Sequence, residues 1–242
     1  MWFILKYLLA ILDKINQIKI YNFIKNILGN KLSFVLDVGS HHGETIKILN
    51  KYFKINSIFG FEPSRNNFSK LNRYILDAKI QNVEIFNFAC GKENKEEILN
   101  YSAESSSSTI NKINENSKYF KKKKLIIQGF SSAKFFKPEK IQVKKLDDFL
   151  VLNNKKIIDL VKIDTEGYEI DVLIGMEENL NNTKMIYFEH HYDNMIQKNY
   201  TFSDINNYLK RNNFKKVFKI KMPLRKTFEY IYINKYFYEQ KY

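Results

Sequence analysis

Phe34-Val35-Leu36-Asp37-Val38-Gly39-Ser40-His41-His42-Gly43-Glu44 decides how this 242-residue chain is read. The run from Phe34 to Val38 is apolar and partly β-branched, which predicts a strand buried on both faces. A turn containing Gly39 and Gly43 follows, and Thr45-Ile46-Lys47-Ile48-Leu49-Asn50 opens an amphipathic helix. Strand, glycine turn and helix is the arrangement by which α/β folds bring backbone N–H groups and a helix N-terminus up to a nucleotide. Gly39 permits a turn that a side chain would hinder, and Gly43 is expected to let the backbone approach a ligand closely.

Ile58-Phe59-Gly60-Phe61-Glu62 reads as a second strand, stopped by Pro63. Glu62 lies 23 residues beyond Gly39, near the ~20-residue offset at which a second-strand acid meets ribose hydroxyls. Asp37 narrows the choice of nucleotide. A carboxylate beside the glycine turn would repel a pyrophosphate, whereas it suits the ammonium and sulfonium of S-adenosylmethionine.

Residues 35–44, 60–64, 87–91, 144–149 and 162–176 together resemble the FkbM-type family of S-adenosylmethionine-dependent methyltransferases. The resemblance covers about residues 33–192, and Val161-Lys162-Ile163-Asp164-Thr165-Glu166-Gly167-Tyr168-Glu169 is its most specific part. It implies a Rossmann-like class I methyltransferase fold: an α/β domain with a seven-stranded, mostly parallel sheet and helices on both faces. S-adenosylmethionine is the implied cofactor, held by Asp37, Gly39, Ser40, His41, Gly43, Glu62, Pro63 and Ser64, with Asn87 and Ala89 near the adenine. Ser107, Ser108 and Thr109 are implied to hydrogen-bond an acceptor hydroxyl. The implied reaction is O-methylation of a saccharide, glycolipid or related small molecule.

Residues 157–164 form the predicted fourth strand, and 185–189 the next, ending in His190-His191. Ligands of doubly wound sheets sit outside the carboxyl ends of strands at the switch in strand order, so Asp164 and Glu166 are expected to line the acceptor site. The four histidines occur only as two pairs, His41-His42 and His190-His191, each directly after a predicted strand. Imidazole titrates near neutral pH, which makes His190 the first expected base and His191 the second. Such pairs near acids also suit a divalent cation, but neither has i, i+4 spacing, and no metal is expected.

The net charge of +14, from 40 Lys and Arg against 26 Asp and Glu, admits an anionic partner, while the abundance of Lys, Asn and Ile also fits compositional drift. Nucleic-acid methylation is therefore a rival. Against it, Asp164-Thr165-Glu166-Gly167 lacks the Asn/Asp-Pro-Pro-aromatic arrangement of amino-methylating enzymes, and no nucleic acid is expected. A non-catalytic S-adenosylmethionine-binding scaffold at a membrane surface is a second rival. The lone Cys90 excludes an internal disulfide and a multi-cysteine zinc site, as a reducing cytosol would allow; a cytoplasmic or membrane-peripheral protein is expected.

Residues 1–30 predict one or two amphipathic helices preceding a methyltransferase domain of residues 31–242. Their longest uncharged run, 7–12, falls far short of the ~20 residues that span a bilayer. This segment is expected to cap the sheet or to form a homodimer contact, with peripheral membrane attachment as the alternative. A third strand is expected over 83–89, and a structureless insertion from 101 to about 140, including the Lys121–Lys124 block. Asp147 and Ser203 are expected helix N-caps. Strands near 215–221 and 228–234 would complete the sheet with an antiparallel edge.

Overall fold

The computed structural model describes residues 2–102, 104, 106–128, 134–151 and 157–238, with side chains from residue 11 onward. In chain order the elements are α1 (Trp2–Leu28), β1 (Lys31–Val38), α2 (Glu44–Tyr52), β2 (Lys54–Phe61), α3 (Arg65–Asp77), β3 (Val83–Phe86) and β4 (Ala89–Gly91). β5 (Lys95–Ser102), β6 (Lys112–Ile113), α4 (Lys118–Gln128), β7 (Phe136–Lys145) and α5 (Leu146–Val151) follow. Next come β8 (Ile158–Ile163), α6 (Glu169–Ile174), α7 (Glu177–Leu180), β9 (Thr183–His191) and β10 (Ile196–Gln197). The chain closes with α8 (Phe202–Arg211), β11 (Phe214–Lys221), β12 (Thr227–Asn234) and α9 (Lys235–Tyr238).

The main sheet has the order β11-β12-β9-β8-β1-β2-β3. β12 runs antiparallel to both of its neighbours, while β3, β2, β1, β8 and β9 pair in parallel. The chain builds outward from β1 in one direction and then, at β8, in the other. The carboxyl ends of β1 and β8 are therefore the switch point where such sheets bind ligands.

Period-2 alternation assigns side chains to the two faces. Val35, Leu160, Met185, Tyr187 and Ile231 pack under α1, α2 and α3, against Ile20, Tyr21, Ile24, Ile46, Leu49 and Leu71. Leu36, Val161, Ile186, Phe188 and Tyr230 face the opposite way, onto Val172 and Leu173 of α6 and Ile205 and Leu209 of α8. Both sides of the central strands are covered, as their near-continuous apolar sequence requires.

Several local expectations are corrected. The third strand breaks after Phe86: its continuation, β4, leaves the main sheet and pairs with β7 in a three-stranded sheet of order β4-β7-β5. The stretch from 101 to 140 is not structureless. It holds β6, α4 and parts of β5 and β7, and Phe120, Phe135, Met195 and Ile196 bury one another in a small core of their own. The lysine block lies on α4, where four consecutive charges mask the helical period around Tyr119 and Phe120. The N-terminal segment forms a single helix, which ends as Gly29 enters the left-handed region at φ 79°.

Both expected caps move. Thr201, rather than Ser203, precedes α8, and its N–H and hydroxyl both donate to Asp204 at 2.7 and 2.8 Å. Asp147 lies within α5 and caps another helix. Its carboxylate accepts the N–H groups of Glu178 and Asn179, at 3.0 and 3.2 Å, and the Asn179 amide at 2.7 Å. Asp147→Ala would strand those donors in a buried place, so a loss of about 2–3 kcal/mol in unfolding free energy is expected. Denaturant melts showing a loss below half a kcal/mol would refute the assignment.

Candidate active site

The turn after β1 is clamped to the end of β2. The N–H groups of Gly39 and Ser40 both donate to the Phe61 carbonyl, at 2.9 and 3.0 Å, and the Ser40 hydroxyl donates to the Asp37 carbonyl at 2.8 Å. Gly39 sits at φ 89°. A Cβ there would lie 2.0 Å from the Asp164 carbonyl oxygen, so the turns after β1 and β8 interlock through the missing side chain. Gly43, at φ 93°, is different: the space beside it is filled by Tyr74 and Leu71 of α3. Helix packing is by itself a sufficient reason for that glycine.

Glu62 is buried at the end of β2. One of its carboxylate oxygens accepts the His41 N–H at 2.9 Å; the other accepts the Ser64 N–H at 3.0 Å and the Asn67 amide at 3.4 Å. A carboxylate offers about four lone-pair sites, so three donors leave room for one more, such as a ribose hydroxyl. The Asn87 amide donates to the carbonyls of Glu62 and Pro63 at 2.9 and 3.0 Å. Asp37, Gly39, Ser40, His41, Glu62, Pro63, Ser64 and Asn87 thus meet at one corner, with Ala89 at the start of β4.

Asp37 is fully buried, and neither of its carboxylate oxygens has a hydrogen-bond partner among the described residues. Its strand register places it beside Lys162. Burial pushes its pKa up to about 7, with Lys162 opposing. Burial likewise pushes Glu62 up to about 7, against the backbone N–H groups of Ser64 and His41. An unpartnered acid under the turn fits a cationic donor and does not fit a pyrophosphate. Both acids are largely protonated below pH 7, and their ionised forms are the ones that favour a cation and accept hydroxyls. Affinity for S-adenosylmethionine is therefore expected to rise with pH between about 6 and 8, with protons released on binding. Calorimetry in two buffers of different ionisation enthalpy checks this; an affinity flat across that window would refute it.

The acceptor side grows from β8 and β9. Asp164 follows β8, its side chain 36 % exposed and 3.1 Å from the Lys162 ammonium. Burial works against that ammonium, but Asp164, then Glu229 and Glu189, hold its pKa above the ordinary lysine value. Glu166 adopts φ 50°, a conformation unusual for a residue other than glycine, and Gly167 follows at φ 94°. Four side chains brace this turn. The Thr109 hydroxyl donates to the Glu166 carbonyl at 2.7 Å, and the Asn111 amide to the Gly167 carbonyl at 2.5 Å. Glu169 accepts the Gly167 N–H at 2.7 Å, and the Tyr200 hydroxyl donates to Glu169.

The adjacent histidines of β9 part company. His191 shares a face with Glu189, and its Nε2 lies 3.1 Å from Glu166 and 3.0 Å from Glu189, with Nδ1 3.6 Å from Asp193. Burial disfavours its charge, but Glu166, Asp193 and Glu189 outweigh that and raise its pKa well above the ordinary imidazole value. His190 is buried on the other face, its ring 4.9 Å from Tyr192 and 5.8 Å from Phe202. Burial, then Lys198 and His191, lowers its pKa to about 3. Glu166, half-buried beside His191, is pushed up to about 7 by loss of solvent, opposed by His191 and reinforced by Glu189 and Asp164.

The serine segment meets this site through Thr109, whose hydroxyl holds the Glu166 carbonyl. Ser107 donates to Glu104 at 2.6 Å and accepts from Lys123, and Ser108 accepts the Ser102 N–H at 3.0 Å. Glu189, Asp193 and Lys162 escaped the sequence reading. Two signals mark them: Glu189 lies two positions before His191 on one strand, and Lys162 is a charge inside an otherwise buried strand. Among the described residues, His41, His42 and Glu44 bring three ligand-type atoms within 4.8 Å. The two imidazoles stack at 3.7 Å with planes 22° apart, an arrangement that does not aim both ring lone pairs at one nearby point.

This strand order, with a glycine turn, a second-strand acid and an unpartnered acid at the switch point, defines a class I S-adenosylmethionine-dependent methyltransferase domain. The model of the methyltransferase FkbM domain matches residues 37–216, and the chain belongs to that family. Methyltransferase 1 of Beauveria bassiana (strain ARSEF 2860) is 25 % identical over 150 residues, which are 60 % of this chain and 59 % of that protein; the chain thus spans about three fifths of that relative's length. A methyltransferase FkbM structure from Methylobacillus flagellatus KT superposes with a TM-score of 0.55 at 13 % identity, over 83 % of this chain and 44 % of that one. Magnesium protoporphyrin IX methyltransferase from Synechocystis PCC 6803, solved with bound cofactor, gives 0.53 at 7 % identity, over 93 % and 80 %. An rRNA methylase from Streptococcus thermophilus gives 0.50 at 10 %, over 88 % and 93 %. At such identities the likeness speaks for the fold. No helix among the described residues is long and apolar enough to cross a membrane.

Proposed function

We propose that the chain methylates a hydroxyl of a neutral, polyhydroxylated acceptor, a saccharide or glycolipid headgroup, with Glu166 as the base. One observation carries this reading: Glu166 and His191 lie 3.1 Å apart on the turn and strand flanking the switch point. When bound, S-adenosylmethionine supplies an activated sulfonium methyl and leaves as a neutral thioether. Asp37 balances its charge, and Glu62 accepts a ribose hydroxyl. Glu166 takes the acceptor's hydroxyl proton, at a pKa of about 7 that suits a base working near neutrality. His191, kept protonated by its three acids, orients the Glu166 carboxylate and offsets Glu189. His190, first expected as the base, is in this reading a neutral ring buried between Lys198 and Glu169, at 3.5 and 3.9 Å.

The acceptor side also speaks against nucleic acid. Asp164, the most exposed acid there at 36 %, stands at the mouth, where its charge disfavours a phosphodiester backbone, while Glu166, Glu189 and Asp193 are engaged by His191. The test is a panel of monosaccharides, nucleotide sugars, extracted glycolipids and total RNA incubated with the cofactor, with methyl incorporation read by mass spectrometry. A methyl ether on a sugar supports the reading. Product on RNA bases alone would overturn it, and tight cofactor binding with no product would favour the scaffold.

A further inference from the structure

α1 connects through Gly29 and Asn30 to the first residue of β1, so it climbs from the amino edge of the sheet towards the catalytic edge. It reaches that edge at the hairpin between β11 and β12. There the Asn16 amide donates to the Lys221 carbonyl at 3.0 Å, and Asp13 pairs with Arg225 at 2.6 Å. The hairpin is at the catalytic edge because Thr227, its last residue, pairs with His191. Residues 2–12 of the same continuous helix extend about 16 Å beyond this contact, at 1.5 Å per residue.

The uncovered face of α1 has an unusual composition. Its exposed residues between 11 and 26 are Ile11, Lys14, Ile15, Ile18, Lys19, Asn22, Lys25 and Asn26, three isoleucines and three lysines without an acid. The one acid of this stretch, Asp13, is turned to Arg225. Beside it the hairpin tip presents Leu224, 77 % exposed at φ 56°, between the exposed Lys221 and Lys226. Two separate elements thus offer apolar side chains framed by lysines: the hairpin tip at the edge where the active site opens, and a stripe of α1 that runs from that edge down the side of the sheet.

We infer that this surface docks on an anionic lipid bilayer: the isoleucines and Leu224 enter the headgroup boundary while the lysines meet lipid phosphates. Charge selects that occupant. A second copy seated on the same face would set Lys14, Lys19 and Lys25 against their own kind. The inference does not depend on which acceptor is methylated. Its consequence is that the catalytic edge, at the hairpin tip, is held beside the headgroups.

Full-length protein is to be floated with vesicles of phosphatidylcholine alone and of phosphatidylcholine with phosphatidylglycerol. At least about tenfold more protein is expected on the anionic vesicles, with strong salt dependence. Three variants, I11S/I15S/I18S, K14E/K19E and L224S, are each expected to lose most of that binding while retaining S-adenosylmethionine affinity, which reports an intact fold. Equal recovery on both vesicle types, or binding unchanged in all three variants, overturns the inference. A dimer seen by light scattering that the isoleucine variant splits, without lipid binding, reassigns the face to a second copy. Retention by RNA and not by vesicles reassigns it to nucleic acid.

Discussion

Glu166→Gln is expected to lower methyl transfer by about 10²–10⁴-fold, the range a positioned base contributes, with S-adenosylmethionine affinity unchanged. Glutamine keeps the size of the side chain and its place on a turn held by Thr109, Asn111 and Glu169. It removes the capacity to take a proton and, with it, the charge that pairs with His191. The wild-type rate should climb with pH and level off through about 7, where burial has placed the Glu166 carboxyl, and the variant should lose that limb. Two further substitutions separate the histidines. His191→Gln should depress the rate and shift the profile to higher pH, because the cation that opposes burial at Glu166 is gone. His190→Gln should act on stability and leave the profile in place, since its ring packs against Tyr192 and Phe202. An unchanged rate in Glu166→Gln would end its candidacy as the base.

Gly39→Ala is expected to destabilise the fold by about 3–5 kcal/mol, among the largest single-residue effects, and to abolish cofactor binding. At this chain length that amounts to a fall of roughly 10 °C in melting temperature. The added methyl would sit 2.0 Å from the Asp164 carbonyl oxygen, a backbone atom that cannot step aside without shifting the turn after β8. Gly29 provides the control. It has nearly the same left-handed φ, 79° against 89°, but nothing lies within 4 Å of an added Cβ. Gly29→Ala should therefore cost only the backbone term of about 1 kcal/mol. Equal losses at the two sites would show that backbone conformation alone, and not interlock of the turns, makes Gly39 a glycine.

The central strands, the glycine turn and the second-strand acid were legible because each is a local pattern: an apolar run, a residue free of Cβ, an acid at a set spacing. The stretch from 101 to 140 was not. α4 is a short helix with a run of lysines, and two of its apolar contacts, Met195 and Ile196, come from a distant part of the chain. Asp147 was legible as a cap but not as the cap of α7, which needs α5 and α7 in contact. The packing reason for Gly43 was hidden similarly, since its neighbours Tyr74 and Leu71 lie a helix away.

The order of the central strands and the family follow from the chain read by itself, because strand alternation and turn geometry are properties of neighbouring residues. Even the parting of His190 from His191 was implicit in the two-residue period of a strand. What only the folded molecule decided is which charges meet. Glu166, Glu189, His191 and Asp193 come from one turn, one strand and the loop after it, and their protonation depends on burial and on distances of 3 to 4 Å. Coulomb energy in a low-dielectric interior falls off over such lengths, and spacing along a sequence carries no measure of them.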